Sequence, residues 1–371
     1  YKETNTDQSV DMNKTFSAKA NIVDPNNFKP YGTNTLATAI IDSAKTAVSA
    51  SNTTRTIYQE TPITTPGQAI STETEKTLSK TQDDYGDSYY FRGNVVDNFV
   101  NYAGMCWRIV RIEGDGSIKL ILASELSCSD TNVTTSSGYA TDGAAGVQGT
   151  KLSVHYGYKD AVVADKSIHP KIDDYINSTT GARSKLNTWL QTKITNENDK
   201  ILLKNEDWCI GDRTTAYDDS TYALKTEKAE ELISGATVNS SDFNYSAGKR
   251  IFNTETPTLK CDGSKERDGE IDTNKVGMLT SDEVTFAGVY RHNGNSTYYL
   301  NKNATSNDWW ALSLVEFSPG RGGSRAFYLS SGGLSYKDVL EDCMLRVAVT
   351  LVSGTQITSG DGTVNNAYVV K

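Results

Sequence analysis

The chain has 371 residues, of which 37% are hydrophobic and 22% charged, and its formal net charge is -9 at pH 7. This length suits one large domain or two smaller ones. The acidic balance argues against a nucleic-acid partner and against an anionic membrane surface, because both require a cationic face. No apolar run approaches the roughly 20 residues that cross a bilayer, and the opening sequence YKETNTDQSV lacks the pattern of a signal peptide.

Residues 1–80 are predicted to form a polar N-terminal arm or attachment module. Within it, residues 34–51 repeat apolar side chains at steps of three and four, which predicts an amphipathic helix capped by Asn34 or Thr35. The predicted apolar face is Leu36, Ala39, Ile40, Ala44 and Ala47. Residues 52–80 are rich in threonine and contain two prolines, so they favour an extended linker or edge strands. A disordered leader is the alternative.

The main domain is predicted to begin near residue 83 and to be built around a hairpin. Four stretches follow one another, at residues 89–91, 99–102, 106–112 and 117–122, and the last two are predicted to be strands. The last two are joined by Glu113–Gly116, whose glycines supply the positive φ of a tight turn. Further along the chain, the patterns predict helices over 173–194 and 226–234, and a strand followed by a helix over 276–287 with Thr280 or Ser281 as its cap.

The five cysteines contain no CxxC spacing, which disfavours a zinc site. Two disulfides and one remaining thiol are favoured over five buried thiols. Cys106 lies opposite about Ser124 in the predicted hairpin, so Cys128 could fold back to reach it. A bridge between Cys209 and Cys261 would close the loop-rich stretch around 200–270.

Residues 307–351 alternate apolar positions at steps of two, which predicts strands with one buried face. Between these positions lie side chains of every chemical type. A catalytic site needs a few tightly held groups, whereas this arrangement favours a recognition surface.

Several segments carry a resemblance to a known family. They are DDYG at 83–86, YYFRG at 89–93, CWRIVRIEGDGS at 106–117, PTLKC at 257–261, KVGMLTSDEV at 275–284, WALS at 310–313, Phe327, Gly333 and LRVAV at 345–349. In this order they resemble a large family of exported or prophage-encoded proteins of gut-dwelling Gram-positive bacteria with a C-type-lectin-like domain. The chain departs from the family pattern at Leu314, where proline is expected, and at 344–348, where MLRVA replaces a Gly-Val-Arg-Pro-Val block.

The resemblance implies an α+β, C-type-lectin-like domain over residues 81–371, preceded by the polar arm and interrupted by loop-rich insertions around 129–170 and 200–270. Some members are similar to the variable proteins of diversity-generating retroelements. By that likeness the ligand-binding residues would be Glu316, Ser318, Arg321, Arg325, Tyr328, Ser330, Tyr336, Lys337, Asp338, Leu340 and Glu341. The alternative is that these are ordinary solvated loop residues without a binding role.

The implied function is non-catalytic binding or adhesion to a protein or glycan on another cell or host surface. The protein would be extracellular, at a bacterial cell surface or on a phage particle. The alternative is a structural subunit of an extracellular filament or phage tail, self-assembled through residues 1–80.

No enzyme and no cofactor is predicted. The three histidines, His155, His169 and His292, have no metal-ligand spacing, and adjacent acidic pairs such as Asp83-Asp84, Asp173-Asp174 and Asp218-Asp219 favour turns and caps. Asn307-Asp308 resembles the calcium-site dipeptide of sugar-binding lectins, but the companion Glu-Pro-Asn element is missing. Calcium is therefore a minor alternative.

Overall fold

The structure is a computed structural model, and residues 31–371 belong to one compact unit. The described residues are 31–62, 65–130, 147–151, 182–209, 216–217, 224–225, 243–244, 246–260, 271–290, 293–294, 297–300, 308–318, 323–330, 333–338 and 342–371. They form a mixed α+β architecture in which strands predominate, as predicted at the level of fold class.

The helices are α1 Leu36–Ser49, α2 Ala182–Lys193, α3 Glu197–Lys200, α4 Ser246–Gly248 and α5 Ser281–Ala287, and a π-helical stretch spans Lys249–Thr254. The strands are β1 Ile57–Gln59, β2 Lys76–Asp83, β3 Gly86–Gly93, β4 Phe99–Tyr102, β5 Met105–Ile112, β6 Ile118–Ser124, β7 Val147–Lys151, β8 Glu206–Cys209, β9 Ala216–Tyr217, β10 Leu224–Lys225, β11 Phe243–Asn244, β12 Ile271–Asn274, β13 Val276–Gly277, β14 Val289–Tyr290, β15 Asn293–Gly294, β16 Trp309–Ser318, β17 Gly323–Ser330, β18 Gly333–Asp338, β19 Asp342–Leu345, β20 Ala348–Leu351, β21 Ile357–Ser359 and β22 Tyr368–Val370.

The predicted hairpin lies at the centre of the larger sheet. One edge of β5 pairs with β6, and the other edge pairs with β4 near its start and with β3 near its end. Beyond β6 the sheet continues through β20 to β13, and beyond β4 through β22 to β21. Every residue of β5 and β6 is buried. Cys106 pairs with Ser124, as predicted. Of the two glycines expected to supply positive φ in the turn, Gly116 does so at +85° and Gly114 does not.

The region predicted as an arm contributes directly to this sheet and its core. Helix α1 begins where Thr35 Oγ accepts a hydrogen bond from the Thr38 amide at 3.2 Å, and its side chains Leu36, Ile40 and Ala44 join the principal core. Strand β2 pairs with β3 along its whole length. The predicted boundary at residue 80 therefore falls inside β2, whose threonines suit a pleated strand as well as they suit a linker.

The smaller sheet has the order β18-β17-β16-β19-β7, and β11 also pairs with β16. Helix α5 precedes β16 in the chain, and of the two predicted caps it uses Thr280, within a capping box. Thr280 Oγ accepts from the Glu283 amide at 3.1 Å, while the Glu283 carboxylate accepts from the Thr280 amide at 3.0 Å. The Ser281 amide donates to Ser313 Oγ at 3.0 Å, which fixes the start of α5 against β16.

Helix α2, which lies within the helix predicted over 173–194, packs a tryptophan against the larger sheet. Trp189 lies edge-on to Trp107 of β5 at 6.1 Å between ring centroids, and its Nε1 donates to Glu125 at 2.8 Å. Leu186 is also buried in the core. The predicted first part of this helix, residues 173–181, lies outside the described residues, as do the predicted helix at 226–234 and most of both predicted insertions.

The predicted disulfide between Cys106 and Cys128 is confirmed, and both cysteines are buried. It ties the start of β5 to the segment that follows β6. Cys209 is also in a disulfide, and its predicted partner Cys261 lies outside the described residues. Cys343 is a buried thiol outside any disulfide.

Candidate recognition surface

The predicted ligand-binding residues on β17 and β18 divide between the two faces of the smaller sheet. Directly opposed residues of antiparallel strands share a face, and so do residues two apart. Ala326 pairs with Lys337 and Tyr328 with Ser335, whereas Phe327 pairs with Tyr336. We call the side with Tyr328, Ser330, Ser335 and Lys337 the Lys337 face, and the side with Arg325, Phe327 and Tyr336 the Arg325 face.

On the Lys337 face, one ammonium group is held among rings and a carboxylate. Lys337 Nζ lies 4.2 Å from the centroid of the Tyr328 ring and 5.8 Å from that of Trp310, and it contacts the Asp308 carboxylate at 3.2 Å. The Lys337 side chain is 16% exposed and that of Asp308 is 41% exposed. Burial alone would lower the pKa of Lys337, but Cys343 and Asp308 raise it above its ordinary value, so this cation stays charged.

The Arg325 face is partly covered by another segment. Phe252 of the π-helical stretch lies 5.1 Å from the Phe327 ring and 5.5 Å from the Tyr336 ring. Arg325 Cζ lies 5.7 Å from the Tyr336 ring centroid. Arg325 and Tyr336 are half-buried, so they contribute to packing as well as to the surface. The single continuous surface suggested by the sequence is thus two surfaces separated by the sheet.

For three of the other predicted residues, the structure describes only the position of the backbone, and three more lie outside the described residues. Glu316 and Asp338 are both backbone partners of Arg325, and Ser318 is the partner of Gly323. Ser330 is half-buried at the end of β17. The predicted residues Arg321, Leu340 and Glu341 lie outside the described residues.

Sequence reasoning missed a buried ionic network at the end of the central hairpin. It contains three cations and four buried carboxylates, which are Arg111, Lys119, Lys204, Asp83, Glu113, Glu206 and Glu283. Arg111 contacts Asp83 at 2.7 Å, Glu113 at 2.8 Å and Glu283 at 3.0 Å. Each cation contacts several carboxylates, which compensates the cost of removing these charges from water.

The network joins three of the segments that carried the family resemblance. Asp83 comes from DDYG, Arg111 and Glu113 from CWRIVRIEGDGS, and Glu283 from KVGMLTSDEV. Asp83 also accepts from the Tyr85 amide at 2.8 Å, which confirms the predicted turn role for this acidic residue. These motif residues therefore hold the framework together. The other two acidic pairs, at 173–174 and 218–219, lie outside the described residues.

The carboxylates of the network titrate in different directions. Burial alone would raise the pKa of Glu283, but Lys119 and Arg111 hold it below its ordinary value. Burial would also raise the pKa of Glu113, but Arg111, Lys119 and Lys204 hold it well below its ordinary value. Burial raises the pKa of Glu206, and its lysine contacts do not reverse that shift. Among these three glutamates, Glu206 is therefore the one that most readily takes a proton.

Within the described ranges, no group of three or more His, Cys, Asp or Glu side chains is arranged to hold a metal ion. Asp308, the described half of the calcium-like dipeptide, points its carboxylate at Lys337. Among the helices that the structure describes, none is both long and apolar enough to span a bilayer.

Comparisons with models of protein families, with curated proteins and with solved structures find no match for this chain. The established result is the mixed α+β architecture, and the C-type-lectin-like fold stays a prediction.

Proposed function

We propose that the chain is a non-catalytic ligand-binding or adhesion protein that displays a recognition surface on a C-type-lectin-like scaffold. It would act outside the cell, at a bacterial cell surface or on a phage particle. The observation that supports this most is the Lys337 face, where one ammonium group contacts both an aromatic ring and a partly exposed carboxylate. Tyrosine is enriched among the anchor residues of protein interfaces, and a side chain that is already held in place loses little entropy on binding.

The strands that carry the Lys337 face hold its side chains in fixed positions. Strands β17 and β18 pair without interruption from Arg325 to Ser330, which fixes the spacing of Tyr328 and Lys337. The neighbouring strand β16 is joined to α5 by the Ser281 amide, which donates to Ser313 Oγ at 3.0 Å. It is joined to the segment before α5 by the Leu312 amide, which donates to the Leu279 carbonyl at 2.8 Å. A rigid surface loses little conformational entropy on binding, which favours affinity for a protein or glycan ligand.

Assembly through residues 1–80, the alternative, is constrained by the fold. The apolar face of α1 is packed in the core, and both edges of β2 are paired, with β1 and with β3. Contacts with another subunit would have to come from other parts of that segment.

The proposal is tested by screening the full chain on glycan and protein arrays and then measuring the affinity of matched variants. Tyr328→Ser and Lys337→Ala change the Lys337 face, and Arg325→Ala changes the opposite face of the same strands. We expect the first two to weaken binding about tenfold or more each, equivalent to about 1.4 kcal/mol, with little change for Arg325→Ala.

Thermal unfolding of each variant is the control, because all three side chains are half-buried. Binding that survives both Lys337-face substitutions in folded protein would contradict this location. Loss of binding in Arg325→Ala alone would show that the ligand binds the Arg325 face instead.

A further inference from the structure

Arg346, between β19 and β20, is a buried cation with no carboxylate within ion-pair distance in the part of the chain that the structure describes. It is 2% exposed. Its Nε donates to the Leu122 carbonyl at 3.0 Å and its Nη1 to the Leu300 carbonyl at 3.2 Å. The comparably buried Arg92 and Arg111 each contact a carboxylate, at 2.8 Å and 2.7 Å. Burying a cation without a countercharge costs several kcal/mol even after relaxation.

The groups around Arg346 do not supply that countercharge. Arg108 is also buried, donates from Nη2 to the Val95 carbonyl at 2.7 Å and lies 5.1 Å from the Tyr299 ring. Burial first, and then repulsion from Arg108, lower the pKa of Arg346 to about 9. A pKa of that size leaves Arg346 charged at neutral pH.

The polar atoms nearby are hydrogen-bond donors without acceptors. Among the described residues, Arg346 Nη2, the hydroxyls of Tyr298 and Tyr299, and Trp309 Nε1 are buried and have no hydrogen-bond partner. Both tyrosines lie near Arg346, because its charge partly offsets the rise that burial causes in the pKa of each phenol. The next residue in the chain, Leu300, accepts from Arg346 Nη1. Guanidinium and indole nitrogens can only donate, and a phenol can donate too, so the missing group is an acceptor.

We propose that Arg346 binds a small monovalent anion of the halide class, chloride foremost, held by its Nη2 group and the hydroxyls of Tyr298 and Tyr299. A water molecule would satisfy the hydrogen bonds but leave the charge uncompensated. The side chains of Leu122, Leu300 and Trp309 are fully buried around the site, which favours a monatomic anion over a larger oxyanion. The anion would act as a structural ligand, and stability would depend on its concentration.

The test is thermal unfolding of the full chain in sodium chloride and in sodium gluconate at matched ionic strength, alongside Arg346→Met. In wild type we expect a saturable rise in Tm of about 2 °C or more with chloride, beyond the rise in gluconate. Arg346→Met should lose the difference between the two salts, since the cation that would bind the anion is removed. Lys193→Met, which removes a cation that is 43% exposed on α2, should keep it.

Bromide soaks provide a second measurement that does not depend on the variant folding. An anomalous peak within hydrogen-bonding distance of Arg346 Nη2, together with the halide-dependent Tm of wild type, supports the site. A water in that place, or the same salt dependence in wild type and Arg346→Met, would overturn it. A bromide peak without any halide effect in solution would mean an adventitious ion only, and would overturn it as well.

Discussion

At the scale of single residues, Glu206 and Glu283 show how one buried network can contain carboxylates with opposite titration. Both contact Lys119, at 3.4 Å and 3.0 Å respectively. Glu283 also contacts Arg111 and accepts from the Thr280 amide, so its charged form is favoured. Glu206 lies near the negative charge of Glu113, and burial raises its pKa. Each carboxylate contacts two cations, because Glu206 also contacts Lys204 at 3.1 Å. The difference therefore arises from the Thr280 amide that donates to Glu283 and from the negative charge of Glu113 beside Glu206.

Substitutions of Glu206 and Glu283 should therefore change the free energy of unfolding with opposite dependences on pH. A raised pKa in the folded state gives stability that is present below the unfolded pKa and is lost as the pH rises through the folded value. Glu206→Gln mimics the protonated form, so its free energy of unfolding should improve relative to wild type as the pH rises above about 4.3, the ordinary pKa of glutamate.

Glu283→Gln is the matched substitution, because glutamine can keep the capping box. A depressed pKa gives stability that is present above the unfolded pKa and is lost as the pH falls through the folded value. The deficit of Glu283→Gln should therefore be largest at neutral pH and shrink below about pH 4.3. Urea unfolding across this range measures both variants. Parallel pH profiles for the two would contradict the assignment.

At the scale of elements, the start of α5 is where a local sequence signal and long-range packing coincide. Thr280→Ala removes the hydroxyl that accepts from the Glu283 amide and should cost about 1 kcal/mol of unfolding free energy. Thr280→Ser keeps that acceptor and should recover most of the loss. Urea unfolding of the three proteins measures the effect. Equal losses for alanine and serine would mean that the threonine methyl, rather than the cap, is what matters.

Elements encoded by neighbouring residues were predictable, and those that depend on distant pairing were not. The Glu113–Gly116 turn, the pairing of Cys106 with Ser124 and the cap at Thr280 all follow from short-range rules. The role of β2 depends on β3, and its threonine-rich sequence fits a linker equally well. The split of the candidate surface follows from the β17–β18 register, which alternation alone does not give.

At the scale of the whole molecule, charges and strands from distant parts of the sequence converge on the central hairpin. Asp83, Glu206 and Glu283 come from separate segments and meet cations of β5 and β6 in the ionic network. No sequence period shows that Asp83 and Glu283, which are 200 residues apart, share Arg111. Such convergence makes the stability of the hairpin depend on segments well outside it.

The same dependence predicts how truncation should behave. A chain beginning at residue 81 lacks α1 and most of β2, so it exposes the apolar surface that Leu36, Ile40 and Ala44 cover and leaves one edge of β3 unpaired. We expect it to aggregate or to melt without cooperativity, whereas a chain beginning at Tyr31 keeps the compact unit and should unfold cooperatively. Circular dichroism melts and size-exclusion chromatography of both chains measure this. A stable, monomeric chain from residue 81 would show that α1 and β2 are dispensable, as a separate arm would be.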